Sequence, residues 1–305
     1  MFVYMKNTPN KTYAILLLNK PIGISSHRAL QIVKKIYNIK KAGHSGTLDP
    51  QATGMQVICF NEATKFLQYN ISSDKTYQFR VALGIKTDTG DSEGKIIDKK
   101  EVNVNIDEIR KAVSSFVGLS NQTPPMYSAI KHNGEPLYKI ARKGGKVEIK
   151  SRQINIKNIE VLSFKNNQID IICTCSKGTY IRTLAEDIGA KLKTCAYVSL
   201  LHRVNIHPFE NEMMHDLDKL KNASDDELKQ YLLPVDMILK DFDKIILNPE
   251  QLNEIGYGRF ITLEYESPVI CRLYDENNNL IGIGGRHKSG NNILKPMKTL
   301  KKYVL

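Results

Sequence analysis

The segment KTYQFRVALG (75–84) alternates without a break. Tyr77, Phe79, Val81 and Leu83 fall on one side, and Gln78, Arg80 and Ala82 on the other. This period of two demands a strand with one face buried, and hence a sheet with something to cover it. Helical periods supply the cover. In SSHRALQIVKKIY (25–37), Ser25 or Ser26 caps a helix whose inner face carries Ala29, Ile32, Val33 and Ile36. Residues 106–117 place Ile106, Ile109, Val113 and Phe116 at helical spacing, with Asn105 as cap and Gly118 as stop. TYIRTLAEDIGAKL predicts a third helix, capped by Thr179, with Ile181, Leu184, Ile188 and Leu192 facing inward. Further strands are expected in AILLLNKPIG (14–23), in MQVICF (55–60), near 153–163 and at 168–175, with a short helix over EATKFLQYN. Strands and helices mix without a βαβ rhythm, so the expected class is α+β.

The C-terminal part changes character. A polar, acidic stretch, DLDKLKNASDDELKQYLL, lies within 210–245, where a boundary is expected. Beyond it come short strands, a DENNN turn and closely spaced glycines, which suggest a small β-barrel-like appendage.

The chain carries 44 Lys+Arg against 32 Asp+Glu, a net charge of +12, which points to a polyanionic partner such as RNA, DNA or an anionic membrane face. No apolar run approaches the roughly 18 residues of a membrane span, and no signal-peptide core opens the chain. Five unpatterned cysteines, with Cys173 and Cys175 on one strand face, read as core residues and not as zinc ligands. A cytoplasmic, metal-free protein is expected.

Chemistry centres on GHSGTLDPQATG (43–54), read as a flexible glycine-rich loop holding one imidazole, His44, and one carboxylate, Asp49. Glycines let backbone approach a ligand closely, and Pro50 biases Asp49 toward an extended conformation. The same residue also suits an ordinary turn. Tyr77 reads equally as a core aromatic. KGTYIR (177–182) sets Tyr180 and Arg182 where a helix begins, beside free N–H groups suited to an anion. Spacing alone leaves each of these open.

Taken together, NKPIGISS (19–26), AGHSGTLDPQATG (42–54), KTYQFRVALG (75–84), PPMYSAIK (124–131) and KGTYIRTLAEDIG (177–189) resemble, in order, the motifs of the TruB-type tRNA pseudouridine-55 synthases. The resemblance spans roughly residues 13–210. The tail, with IGIGG and LKP, resembles a PUA RNA-binding domain. It implies a mixed, largely antiparallel sheet flanked by helices over residues 1–240, and a PUA-like β-barrel over 241–305. It also implies isomerisation of uridine to pseudouridine in the T-loop of tRNA by a monomer, without cofactor or metal. By this resemblance Asp49 is the catalytic acid, acting as nucleophile at C1′ or on the base, or aiding proton loss at C2′. Arg182 pairs with it and holds it ionised and aimed. Tyr77 stacks on the target uracil and assists proton transfer. Tyr180 and Leu201 line the pocket. His44 fills the space of the flipped base, and Lys20 holds a phosphate. The chain departs from the family where two arginines are frequent: here the pair is His202-Arg203, so one phosphate contact is expected to be weaker or to titrate. Two other readings stay open at this point: a guide-RNA-dependent relative of the dyskerin type, expected to carry long extensions, and an RNA-folding module without catalysis.

Overall fold

The computed structural model describes residues 13–300. The N-terminal half contains β1 (Ile15–Lys20), α1 (Ser26–Ile36), β2 (Ala42–Ser45), β3 (Ala52–Phe60), α2 (Leu67–Ile71), β4 (Lys75–Leu83), β5 (Ile85–Thr87), β6 (Ile96–Lys99), α3 (Ile106–Ser114) and β7 (Gly118–Gln122). A small hairpin, β8 (Lys131–His132) and β9 (Glu135–Pro136), leads into α4 (Leu137–Arg142). Then follow β10 (Arg152–Lys165), β11 (Gln168–Cys175), α5 (Ile181–Lys191), β12 (Ala196–Ile206), β13 (His215–Asp216), α6 (Leu217–Asn222) and α7 (Asp225–Gln230). The last segment holds β14 (Asp243–Ile246), α8 (Pro249–Gly256), β15 (Ile261–Thr262), β16 (Cys271–Tyr274), β17 (Leu280–Arg286) and β18 (Ile293–Thr299).

Nine strands form one sheet in the order β13-β1-β3-β12-β4-β11-β10-β7, with β2 added to β3. Most pairs are antiparallel; β1–β13 and β3–β12 are parallel. The α+β class with a mixed, largely antiparallel sheet is what the sequence led us to expect. β4 sits between β11 and β12, and its alternation buries Phe79, Val81 and Leu83 against Ile109 and Val113 of α3 and Leu184 and Ile188 of α5. β1 is apolar from Ile15 to Leu18 because both its faces are covered there. Leu16 and Leu18 meet Ala29, Leu30 and Val33 of α1, while Ile15 and Leu17 face the opposite cluster.

Local signals read well, with small shifts. Ser25 caps α1 by accepting from Arg28 N, and Asn105 and Glu108 form a capping box on α3. α3 stops at Ser114, ahead of Gly118, which opens β7 with φ +105°. Thr179 is not the cap of α5: its hydroxyl donates to the Ser176 carbonyl, and Tyr180 occupies the cap position. The EATKFLQYN segment splits into a 3-10 turn, Asn61–Phe66, and α2.

The C-terminal strands form a five-stranded sheet in the order β14-β16-β17-β18-β15, curled around Ile245, Leu247, Ile255, Leu273, Ile281 and Leu294. Tyr274, Leu280, Ile283 and Leu300 face outward from this small core into the cluster that holds Ile15, Leu17, Met55 and Val57. The two sheets are separate in hydrogen bonding but share apolar contact.

Candidate active site

The glycine-rich stretch is held on all sides. Residues 42–45 are β2, residues from 52 onward are β3, and only six residues lie between them. Ser26 Oγ accepts from Leu48 N at 2.8 Å and donates to Leu48 O at 3.0 Å. Gly23 N donates to Pro50 O at 2.9 Å, and Ala52 N to Asp49 O at 3.0 Å. Arg203 closes the far side, with Nε on the Met55 carbonyl at 2.7 Å and Nη2 on the Gly46 carbonyl at 2.8 Å. The glycines serve close approach, not mobility. Gly46 has φ +66°, and a Cβ there would stand 3.1 Å from Arg203 Nη1. At Gly54, φ +102°, a Cβ would fall 2.2 Å from the Arg203 carbonyl oxygen.

This frame presents Asp49 to Arg182. Arg182 lies in the first turn of α5, and its Nη2 stands 3.1 Å from Asp49 Oδ2. The guanidinium is held in turn by the Tyr127 carbonyl (2.7 Å), the Thr89 carbonyl (3.0 Å) and Asp91 Oδ2 (3.3 Å). Its side chain is 8% exposed, whereas that of Asp49 is 44% exposed. Asp49 is thus the open end of a pair whose cationic end is enclosed. Even so, the protein displaces enough water from around the carboxyl to raise its pKa above the ordinary 3.8. Arg182 and Lys20 oppose that rise, while Asp91 and Glu93 add to it. Arg182 favours the ionised carboxylate, while desolvation outweighs that pairing in the net shift.

Tyr77 lies on β4 opposite Arg203 of β12, and packs against the central apolar cluster beside Leu201. Its phenol lies within the electrostatic reach of the Arg203 guanidinium and of Asp49, and burial raises its pKa. Leu201 is half-buried, facing Phe79 on one side and Ala52 on the other. Tyr180 is fixed by its backbone, which exchanges two hydrogen bonds with the Gln122 side chain at 2.8 and 3.1 Å. The Arg152 guanidinium sits 5.7 Å from its ring centre. His44 is on β2, not in a flexible loop, opposite Ile58; its Nδ1 is buried without a hydrogen-bond partner. Burial, helped by the Arg203 and His27 charges, lowers its pKa.

Two expectations fail. Lys20 is 0% exposed, and its ammonium donates to the carbonyls of Pro21 (2.8 Å), Ile24 (2.8 Å) and Pro50 (3.3 Å). It braces the turn behind Asp49 and has no surface with which to meet a phosphate. Arg203, 1% exposed, is likewise internal and holds no phosphate. Its neighbour His202 accepts or donates through Nδ1 with Thr53 Oγ1 at 2.8 Å. Sequence reasoning also missed Asp91. The turn-rich TDTGDSEG around it was the available signal, but nothing in it names a partner 91 residues away.

Comparison with known proteins identifies the family. A family model described as TruB family pseudouridylate synthase (N terminal domain) matches residues 34–181, and one for the tRNA pseudouridylate synthase B C-terminal domain matches 182–240. The chain is 44% identical over 288 residues to the tRNA pseudouridine synthase B of Pseudoalteromonas translucida (strain TAC 125), covering 90% of each. It is 41% identical over 276 residues to that of Burkholderia pseudomallei (strain 668), covering 88% of this chain and 91% of the other. This chain belongs to the TruB family of pseudouridylate synthases. The same fold is found in solved structures of lower identity. A chain in a Cbf5-Nop10-Gar1 complex superposes with a TM-score of 0.69 at 22% identity, over 95% of this chain and 80% of that one. A chain of an H/ACA RNP bound to a substrate RNA containing 2'-deoxyuridine gives a TM-score of 0.70 at 19% identity, over 95% and 86%. As a TruB-family member the chain is an enzyme, an isomerase that converts uridine to pseudouridine. Among its described residues no helix is long and apolar enough to cross a membrane.

Proposed function

We propose that this enzyme isomerises uridine 55 in the T-loop of tRNA, with Asp49 as the reacting carboxylate. One observation carries the reading: Asp49 keeps an exposed carboxylate on an enclosed Arg182, in a turn whose Ala52 pairs with Leu201 and whose charge reaches Tyr77. The chemistry needs little else. The N1–C1′ bond breaks, the base turns, and a C5–C1′ bond forms; C5 loses a proton and N1 gains one. Substrate and product are isomers, so no cofactor or metal is called for. A carboxylate desolvated enough to have a raised pKa is a better base and nucleophile once ionised than one free in water. Arg182 aims it and balances its charge.

The target base must first leave its stack, at a cost of a few kcal/mol. Tyr77 offers a ring to receive it, Tyr180 a second aromatic nearby, and His44 a group to occupy the vacated space. Phosphate contacts are drawn from the segment 124–152, which carries seven Lys/Arg (131, 139, 142, 143, 146, 150, 152) against Glu135 and Glu148. Arg182 binds the Tyr127 carbonyl and so ties this segment to the active site. Residues 243–300, in contrast, hold seven Lys/Arg and seven Asp/Glu, a net charge of zero. We take them as a PUA-like lobe that recognises RNA by shape more than by charge. The enzyme acts as a monomer in the cytoplasm.

The test is direct. Purified protein alone is expected to convert uridine in a bare T-arm hairpin, read by pseudouridine mapping. Unchanged hairpin would return the enzyme to the guide-dependent or non-catalytic readings.

A further inference from the structure

The stretch QTPPMY (122–127) grips the first turn of α5 at two points. Gln122, the last residue of β7 and only 4% exposed, bonds twice to the backbone of Tyr180. Its Oε1 accepts from Tyr180 N at 2.8 Å, and its Nε2 donates to Tyr180 O at 3.1 Å. Further along, the Tyr127 carbonyl accepts from Arg182 Nη2 at 2.7 Å. One grip is on the backbone where the helix starts. The other is on the side chain that meets Asp49 at 3.1 Å.

Tyr180 holds the N-cap position of α5 without a side-chain hydrogen bond of its own, and the first turn carries no acidic residue. Its carbonyl accepts the first helical bond, from Leu184 N at 3.0 Å, and the Gln122 amide adds a second donor there. Bonds to both polar groups of one residue fix its orientation as well as its position. The spacer between the two grips is stiff. Pro124 and Pro125 have fixed φ, and each holds the residue before it, Thr123 and Pro124, in extended backbone. Asp91 and the Thr89 carbonyl also hold the guanidinium, but among these contacts Gln122 alone acts on the backbone of the helix. We propose that Gln122 is a positioning residue for the isomerisation: by anchoring the start of α5 to β7, it sets where Arg182 meets Asp49. The proposal rests on the reading of Asp49 as the reacting carboxylate.

Two neutral variants test it without adding charge near Asp49. Gln122→Met keeps the length and removes both bonds; Gln122→Asn keeps the amide but is one methylene too short to make them. Single-turnover rates on the T-arm hairpin are measured with saturating enzyme across pH, beside RNA affinity. Gln122→Met is expected to slow the reaction by about 5- to 50-fold, the range of one or two neutral hydrogen bonds. RNA affinity should stay within about threefold, because the Gln122 amide is buried. The acid limb of the rate profile decides the matter. Arg182 lowers the pKa of Asp49, so a guanidinium that drifts from the carboxylate lets that pKa climb. The limb should move up by about 0.5 in pH, a fraction of the roughly 1–3 that a close cation confers. A loss of packing alone would slow the reaction alike at every pH. Gln122→Asn should show the same upward movement, and it carries the test if the methionine variant does not fold. Asp49→Asn is run beside them. If it forms no product while the Gln122 variants keep the parent's limb, the Gln122 proposal is overturned and the Asp49 reading stands. Substantial product from Asp49→Asn would remove both.

Discussion

Asp91 holds Arg182 from the side away from Asp49, its Oδ2 3.3 Å from Arg182 Nη1. Asp91 is itself fixed: Thr89 Oγ1 donates to its Oδ1 at 2.6 Å, and Glu93 N donates to the same oxygen at 3.1 Å. One enclosed guanidinium thus serves two carboxylates, one buried and rigid, the other open to the cleft.

Asp91→Asn should therefore slow the reaction without unfolding the protein. The amide keeps the hydrogen-bonding shape but gives up the charge that aims Arg182. Hydrogen bonds to charged groups are worth about 1.5–3 kcal/mol, so a rate loss of roughly 10- to 150-fold is expected, with melting and RNA affinity near those of the parent. A single-turnover rate within twofold of the parent would show that Arg182 needs only Asp49.

Asp49→Asn is expected to abolish pseudouridine formation. The side chains are nearly isosteric, and the loop is pinned by Ser26, Gly23 and Arg203, none of which touches the carboxylate through these bonds. RNA affinity should stay within about tenfold of the parent, or 1.4 kcal/mol. Pseudouridine mapping after prolonged incubation is the readout. Substantial product would reduce Asp49 to a turn residue.

The raised pKa of Asp49 fixes a direction for the acid side of the rate profile. The ionised form is the reactive one, so the rate should fall as pH drops through a value above the ordinary 3.8. Arg182 is the largest influence lowering that pKa. Its removal in Arg182→Met should push the acid limb upward as well as slow the reaction. A downward shift in that variant would mean that the limb belongs to another group.

What the sequence made legible was local. The alternation of β4 and the caps at Ser25 and Asn105 depend on residues at most a few positions apart, and each appears in the structure. The fate of a polar side chain depends on what meets its far end. Lys20 and Arg203 looked like surface cations suited to phosphate. Arg203 instead binds carbonyls 148 and 157 residues away, and no spacing rule announces that. The glycines of 43–54 suggested a supple loop for the same reason: the arginine they accommodate lies in a distant strand. The shared core has a practical result too. Deleting the C-terminal lobe would strip Tyr274, Leu280 and Ile283 away from Ile15 and Leu17, so truncation is a poor probe of RNA binding.

Charge substitution is the cleaner probe. If about six phosphates are contacted, affinity should fall on the order of 10³-fold between 50 and 200 mM salt. Replacing the exposed Lys131, Lys139, Lys146 and Lys150 by glutamine should flatten the salt dependence, by about 0.9 in slope for each phosphate no longer neutralised. An unchanged slope would place the phosphate-binding cations outside residues 124–152.

Lys20 gives a stability prediction with a definite sign. Burial lowers its pKa from 10.5 to about 8 in the folded protein, against the partial support of Asp49. Between those two values the unfolded chain holds a proton that the folded protein has released. Stability from this residue should therefore rise as pH climbs from about 8 to 10.5, the reverse of the trend for a lysine stabilised by an ion pair. At 1.36 kcal/mol per pKa unit, the full rise is on the order of 3 kcal/mol. Lys75 shares the same depressed range, so the comparison must be internal. Urea unfolding of the parent and of Lys20→Met at pH 8 and pH 10.5 isolates the difference, because the contribution of Lys75 is common to both. The parent should gain on the variant as pH rises. Parallel pH dependence in the two proteins would mean that the Lys20 ammonium is as well solvated by its three carbonyls as by water.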